Sequence, residues 1–353
     1  MKRILILCLA LCALSAPAQT EVNQLKPGVS AEGVTYLLPR THFQIVVTAE
    51  RKAHEPGEFA AFAQRLLRLE NVAQVAYDEW RVLKVEIIPY GVADTSRIFT
   101  IKMKPHTSAP LVSLASDGRL LAVNTDANDE PELRQPGAKQ TGTTAAEAGD
   151  DFRTQEILAA ASRSKMAELT ANEIYDIRDN RGLLSKGQAD FMPKDGEQLR
   201  LMLQTLDRQE QALMQRFVGV TTTEEHVFTF DFVPTRDEES VQLFRFSRHF
   251  GMVDDDDEGG LPYVLNVRKS GQMPLLTPEA DPKKETKDLR YIVPARAEVS
   301  LECDNTTLYK SEMAVAQFGR VAHLGGDLFN KNFKTRLTLS PVTGGISKIR
   351  GDE

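Results

Sequence analysis

The sequence predicts a β-rich α+β fold of antiparallel sheets, or a sandwich, with an N-terminal mixed module and a central antiparallel helical pair. Three observations predict it. His226-Val227-Phe228-Thr229-Phe230-Asp231-Phe232 places aromatics at period two, the pattern of a half-buried strand. Asp151–Arg181 and Asp195–Phe217 carry apolar residues at helical spacing. Short β-branched segments then recur to the end at the spacing of antiparallel strands.

Taken in order, Met1–Ala18 reads as an export signal. Lys2 and Arg3 form the basic start, Ile4–Leu14 the apolar stretch, and Ala16-Pro17-Ala18 a small-x-small cleavage site before Gln19. The apolar stretch is shorter than the about 20 residues a spanning helix needs. Cys8 and Cys12 lie inside this signal, so the mature chain keeps only Cys303 and forms no internal disulfide. In Leu9-Ala10-Leu11 before Cys12, the large Leu11 stands where a lipoprotein signal wants a small residue, which argues against lipidation at Cys12. The expected product is exported and periplasmic, with outer-membrane association or secretion as the other destinations and no transmembrane segment.

Val34–Leu38 and Phe43–Thr48 read as strands, and Pro56-Gly57-Glu58 opens a helix whose buried face is Phe59, Phe62, Ala63, Leu66 and Leu69. Trp80–Ile88 and Ser96–Met103 return to strand, closing a first module at 19–125. Residues 126–150 lack apolar periodicity and read as a disordered linker. The helical pair spans 151–218. Its first helix carries Leu158, Ala161, Met166, Leu169, Ile174 and Ile177 and ends on Gly182. The second opens at Asp195 with Gln198 as its capping partner, carries Leu199, Met202, Leu206, Leu213 and Phe217, and closes at Gly219. A β-rich unit, 219–350, follows with strands at 241–246, 261–267, 297–301, 311–318 and 336–339.

Composition narrows function. Hydrophobic residues make up 41% and charged residues 26%, with a net charge of −7 that becomes more negative once Lys2 and Arg3 are removed. Such a chain has no clustered Lys and Arg to neutralise phosphates, which excludes nucleic acid as a partner. There is no Gly-x-Ser-x-Gly elbow, Walker A loop or dinucleotide fingerprint, so no cofactor is implied.

Several segments together resemble a known family. They are Gly33-Val34-Thr35-Tyr36-Leu37-Leu38-Pro39-Arg40-Thr41, Pro56-Gly57-Glu58-Phe59-Ala60, Tyr291–Ala297, Gln317-Phe318-Gly319 and Ser340–Gly345. The family is domain of unknown function 4831, exported proteins of Bacteroidetes-type bacteria, and the resemblance covers nearly all of the mature chain. It implies an envelope location and brings no established activity, so no catalytic residues carry over. Physically, Pro39 and Pro294 read as ending strand pairing or lying at a sheet edge, and Gly319 and Gly344-Gly345 as turn or bulge positions needing positive φ.

Candidate chemistry is sparse. His42, His54, His106, His226, His249 and His323 show no metal-ligand spacing, although His226 and His249 flank strands that could adjoin. Ser162-Arg163-Ser164-Lys165 and Lys269-Ser270-Gly271 match two pieces of a penicillin-interacting serine enzyme, but Ser162 reads as mid-helix and the Ser-Asp-Asn piece is missing. In Asp254-Asp255-Asp256-Asp257-Glu258-Gly259-Gly260, the residues Asp254, Asp256 and Glu258 are candidate Ca²⁺ ligands, though EF-hand spacing fails because Leu265 stands at position 12. A solvated loop is the simpler reading. Asn305-Thr306-Thr307 is a glycosylation sequon by pattern alone. The expectation is a non-catalytic binding or structural module whose partner is an envelope protein or glycan. The alternative is an envelope hydrolase acting on glycan or peptidoglycan.

Overall fold

The computed structural model describes residues 28–30, 33–102, 112–127, 130–145, 152–271, 289–325 and 334–352. The export signal, Cys8, Cys12, Met103 and His106 lie outside them. The architecture is α+β and β-rich, with three antiparallel sheets and a helical pair.

Two very long strands organise the first sheet: β2 (Gly33–Glu55) pairs along its length with β3 (Tyr77–Lys102). Each joins two strands that the sequence separates. Pro39 had suggested a break, but a register shift between Leu37 and Pro39 absorbs the missing N–H and the strand continues. On its other side β2 pairs with β7 (Val220–Phe232), and β1 (Gly28–Ser30) pairs with its start. The β2–β3 connection holds a single 3₁₀ turn, Ala60–Phe62, and the short helix α1 (Ala63–Leu67), which ends on Arg68 in the left-handed region. Phe59, Ala63 and Leu67 are its buried residues, while Phe62, Leu66 and Leu69 are only partly covered.

The second sheet runs β12–β11–β10–β8–β9, with β8 (Glu238–Ser247), β9 (Gly251–Val253), β10 (Leu261–Ser270), β11 (Leu289–Cys303) and β12 (Thr306–Leu324). Asp304 and Asn305, both at positive φ, make the two-residue β11–β12 turn, so the sequon sits at a hairpin tip. A smaller third sheet, β14–β13–β5–β4, joins β4 (Val112–Leu114) and β5 (Leu120–Val123) to β13 (Lys334–Leu339) and β14 (Ile346–Asp352). Segments before residue 125 and after residue 219 are therefore woven into common sheets, through β2–β7 and β5–β13.

The stretch 126–150, read as a disordered linker, contains an element. Gly137–Thr143 forms β6, which pairs with β7 and is an edge of the first sheet. Just before it, the Gln44 side-chain amide accepts from the Arg134 N–H (2.8 Å) and donates to the Arg134 carbonyl (3.0 Å). The strand escapes an apolar-pattern reading because almost all its side chains are exposed.

Two cores lie between the sheets. In the larger, Phe43, Ile45, Val47 and Ala49 alternate along β2 and face Phe244, Leu265, Val267, Val299, Leu301 and Val315. Phe230, Phe244 and Tyr263 stack in series across the interface, with centroids 4.9 and 4.5 Å apart. In the smaller, Tyr36 and Leu38 meet Leu120, Val123, Ile292, Leu337 and Leu339. The β2 strand passes from one core into the other.

A third core belongs to the helices. The first expected helix divides into α2 (Gln155–Ala159), capped by Thr154, and α3 (Arg163–Lys186), capped by Ser162. Helix α3 runs through Gly182 and ends on Gly187, whose φ of 71° supplies the left-handed cap. Helix α4 (Gly196–Val218) begins and ends as expected: Asp195 Oδ1 accepts from the Gln198 N–H at 2.7 Å, and Gly219 follows at φ 79°. Salt bridges Arg178–Glu210 and Arg181–Asp207, both 2.6 Å, step in opposite directions along the two helices and fix them antiparallel. The base of this hairpin packs Ala167, Ala171, Ile174, Leu213 and Phe217 against Phe59 and Leu67.

Burial along α4 is thus uneven although its apolar pattern runs throughout. Leu213→Ala should lower the unfolding free energy by about 2–5 kcal/mol, and Leu201→Ala, at an exposed position, by less than about 0.5 kcal/mol. Urea denaturation followed by circular dichroism measures both.

Candidate functional site

The most elaborate polar arrangement is buried where β2 crosses between the cores. Thr41 is fully buried. Its N–H donates to Gln317 Oε1 (3.0 Å) and its carbonyl accepts from Gln317 Nε2 (2.9 Å). Its hydroxyl donates to the Val342 carbonyl (3.1 Å) and accepts from the Ala316 N–H (3.0 Å). The Gln317 amide reproduces the hydrogen bonding of a neighbouring strand, and Nε2 also reaches the Pro234 carbonyl at 2.9 Å.

Gln317 can do this because β12 leaves its partner there. Ala295 pairs with Val315, but Val293 pairs with Arg320, so residues 316–319 bulge away opposite Pro294, which has no N–H to offer. Pro39 and Pro294 therefore occupy bulges in interior strands and neither end pairing nor mark an edge. Gly319 is needed for close approach, since a Cβ would overlap the Val293 carbonyl, and it has no positive φ. Gly344 does have one, at 67°. It closes the Ser340–Gly345 turn by donating its N–H to the Ser340 carbonyl, and its own carbonyl accepts from the Ile292 N–H at 2.9 Å.

A buried guanidinium completes the corner. Arg119, 5% exposed, donates from Nη1 to the Pro341 carbonyl, from Nε to Asp117 (2.7 Å) and from Nη2 to Glu130 (2.7 Å). Asp117 also accepts the Ala93 N–H at 3.1 Å. Arg119 and Asp117 together thereby join β3, the turn before β5, the 126–135 stretch and the 340–345 turn. Four of the five segments quoted for the family resemblance meet at this corner; the fifth, Pro56–Ala60, lies at the helical base. The arrangement is structural chemistry, with its strongest donors and acceptors already engaged.

The candidates read from the sequence lie elsewhere and apart from one another. Ser162 is an N-cap, not a mid-helix residue: its Oγ accepts from the Lys165 backbone N–H, and Lys165 Nζ turns to Glu168 at 3.0 Å. Lys269 pairs with Asp237, and Ser270 donates to Glu312 at 2.7 Å. Cys303 is buried beside Tyr263, its cross-strand neighbour, and burial raises its thiol against the opposing effect of the Tyr263 hydroxyl. Asp254, Asp256 and Glu258 are exposed on the β9–β10 loop, whose shape is set by backbone contacts such as Arg245 Nη1 to the Gly260 carbonyl (2.8 Å). Among the described residues no three His, Cys, Asp or Glu are grouped to hold a metal ion.

Two clusters had no sequence signal because they assemble across strands. Arg51, Asp78, Glu224, His226 and Trp80 gather at the open end of the larger core. Arg51 bridges Asp78 (3.1 Å) and Glu224 (3.3 Å), and the His226 ring lies 4.7 Å from the Trp80 ring. Gly251 packs against the indole and the Trp80 backbone N–H donates to the Arg248 carbonyl, so Trp80 plugs the sandwich end. His249 adjoins this turn; its backbone N–H contacts Ser247. The His226 hydrogen bond and the Arg51 charge hold Glu224 below the usual carboxylate range against a desolvation effect that raises it. On the other face of the first sheet, Tyr90 donates to Asp231 at 3.1 Å, and burial with this contact pushes its phenol up to about 12. The adjacent His42 is pushed below its ordinary value by burial and by Arg40. A shallow, open cleft of about 430 Å³ is lined by Ser113, Ser116, Leu121, Asp126 and Glu130.

These features define a class: a two-core β-sandwich protein with a docked helical hairpin, pinned by a buried polar corner. The chain belongs to the family described as Domain of unknown function (DUF4831), whose model matches residues 32–347 and so takes in all three cores and the corner. No curated protein and no solved structure matches the chain.

Two outcomes follow. Arg119→Ala should cost about 2–3 kcal/mol in chemical denaturation, below a fully buried pair because Asp117 and Glu130 are partly exposed. Arg119→Lys should not restore it, since a single ammonium nitrogen cannot reach the separate acceptors that Nε, Nη1 and Nη2 meet. For Glu224 the sign follows from its lowered pKa: its contribution is present above the ordinary value of 4.5 and is lost as pH falls through the depressed one. Thermal melts of wild type and Glu224→Gln should differ at pH 6 and converge as acid is added.

Proposed function

We propose that this protein is an exported, non-catalytic binding or structural module of the cell envelope, whose partner is an envelope protein or glycan. One observation carries the reading. Glu130, the acid that borders the described cleft and approaches the buried corner, is committed to Arg119 at 2.7 Å, as a structural salt bridge requires. Ser162 likewise serves its helix end, with its hydroxyl accepting from a backbone N–H. No helix among the described residues is long and apolar enough to cross a membrane. Export rests on Met1–Ala18, and the mature chain starts at Gln19 on this reading.

The second reading, a hydrolase of glycan or peptidoglycan, draws on Asp126, which lines the same cleft beside Glu130. Affinity capture from native envelope, with mass spectrometry of the eluate, separates the two. The module reading expects a specific partner, no turnover in a glycan and peptidoglycan screen, and an intact mass beginning at Gln19. Turnover that Asp126→Asn abolishes, with no partner above background, establishes the hydrolase instead.

A further inference from the structure

Strand β12 leaves one edge of the second sheet open. It is the terminal strand of that sheet and pairs with β11 alone. The Ala316 N–H, which donates away from β11 to Thr41, shows which backbone groups face the open side. Alternation at period two puts the N–H and C=O of Ala314, Glu312 and Lys310 there as well, before the register shift at Leu308. Among the described residues these groups have no hydrogen-bond partner on that side. Two other open edges are broken. Strand β6 shifts register between Gln140 and Gly142, and β3 carries Pro89 and is met at Trp80 by the Arg248 carbonyl. Residues 309–315 hold neither proline nor glycine, and an uninterrupted edge is a template for another strand.

The charges on this edge select the strand that fits it. Lys310 and Glu312, 59% and 47% exposed, stand on either side of Ser311. A second copy of β12, laid antiparallel with a two-fold axis through Ser311, brings each Lys310 opposite Glu312 of the other copy. Those residues then exchange N–H···O bonds across the axis, about four in all. Leu308, 41% exposed, meets Ala314 of the other copy in the same register. A shift of two residues either way sets Lys310 against Lys310 or Glu312 against Glu312, which repel. A shift of one residue matches open groups with groups that point back to β11. The edge is thus self-complementary in a single register. Inside each copy, Glu312 lies directly opposite Glu298 on β11, and Arg296 (2.8 Å to Glu312) and Lys310 (3.0 Å to Glu298) offset that repulsion. A second Lys310 gives Glu312 a further cation on its open side. A lysine usually guards an edge against pairing; in this register a carboxylate answers it.

We propose that the protein pairs with a second copy of itself along β12, joining the two second sheets into one continuous sheet about an axis at Ser311. The inference does not depend on the envelope reading above. Sedimentation velocity of the purified mature chain tests it and should show a monomer–dimer equilibrium with Kd below about 100 µM. Lys310→Glu should raise that Kd at least about tenfold, because the axis makes one substitution act twice. Adding Glu312→Lys should restore the dimer. Within each copy the pairs with Glu298 and Arg296 stay broken in that double variant, so the recovery can arise only across the axis. Ser311→Cys reads the register directly. The axis sets the two 311 positions as a non-hydrogen-bonded pair with Cα atoms about 4.5 Å apart, within reach of a disulfide. Mild oxidation should therefore give a covalent dimer, while wild type, with its buried Cys303, should give none. A wild-type chain that stays monomeric up to about 0.5 mM overturns the proposal. So does a dimer that Lys310→Glu leaves intact, or one that the charge swap fails to restore while the variant melts as a folded protein. If the swapped variant does not fold, the Ser311→Cys cross-link decides alone, and its absence overturns the pairing.

Discussion

The hydrogen bonds between Thr41 and Gln317 tie the two large sheets together where neither can lend the other a strand. Each backbone group of Thr41 meets an atom of the Gln317 amide, and the Thr41 hydroxyl meets the 316 and 342 backbones. Buried backbone groups left unpaired would each cost about 1–3 kcal/mol. At this crossing Thr41 still pairs with Gly91 of β3, but β7 joins the other edge of β2 only from Phe43, and β12 has left β11 at Pro294, so each strand lacks an ordinary neighbour on one edge. The glutamine side chain fills the gap. Both cores depend on that, because β2 carries Tyr36 and Leu38 into one and Phe43 and Ile45 into the other.

The rest of the topology follows from this crossing. The C-terminal turn 340–345 must return to β2 to receive the Thr41 hydroxyl and the Arg119 guanidinium, which places β13 beside β5 and joins residues 112–123 to the last strands of the chain in one sheet. Trp80, at the opposite end of the larger core, closes the sandwich against Gly251 and leaves the charged cluster around Arg51 at its rim. The helical hairpin hangs from the end of β2 and the start of β7 and adds a core of its own.

Much of the local structure was legible in the sequence. Asp195, Gln198 and Gly219 bounded α4 because capping is decided within four residues, and the aromatic alternation of 226–232 gave β7 because one face of that strand meets a core. The limits of α3 were misread because Gly182 and Gly187 both suit a helix end, and only Leu184, buried in the added turn, decides between them. Strand β6 was missed because an exposed edge rich in Gly and Thr has no apolar period. The motif residues around Pro39, Pro294 and Gly319 were recognisable as fold punctuation, but their meeting point was not: Thr41 and Gln317 stand 276 residues apart. No local pattern encodes that contact.

The central claim is that the Thr41–Gln317 corner opens only when the whole molecule unfolds. Native-state hydrogen exchange of the Thr41 and Ala316 amides tests it directly, because both N–H groups are donated inside the corner. The account predicts that these two amides exchange with the free energy of global unfolding and share its denaturant dependence. Exchange as fast and as denaturant-insensitive as that of the exposed edge strand β6 would contradict it, and would show that the sheets are held by their apolar faces alone.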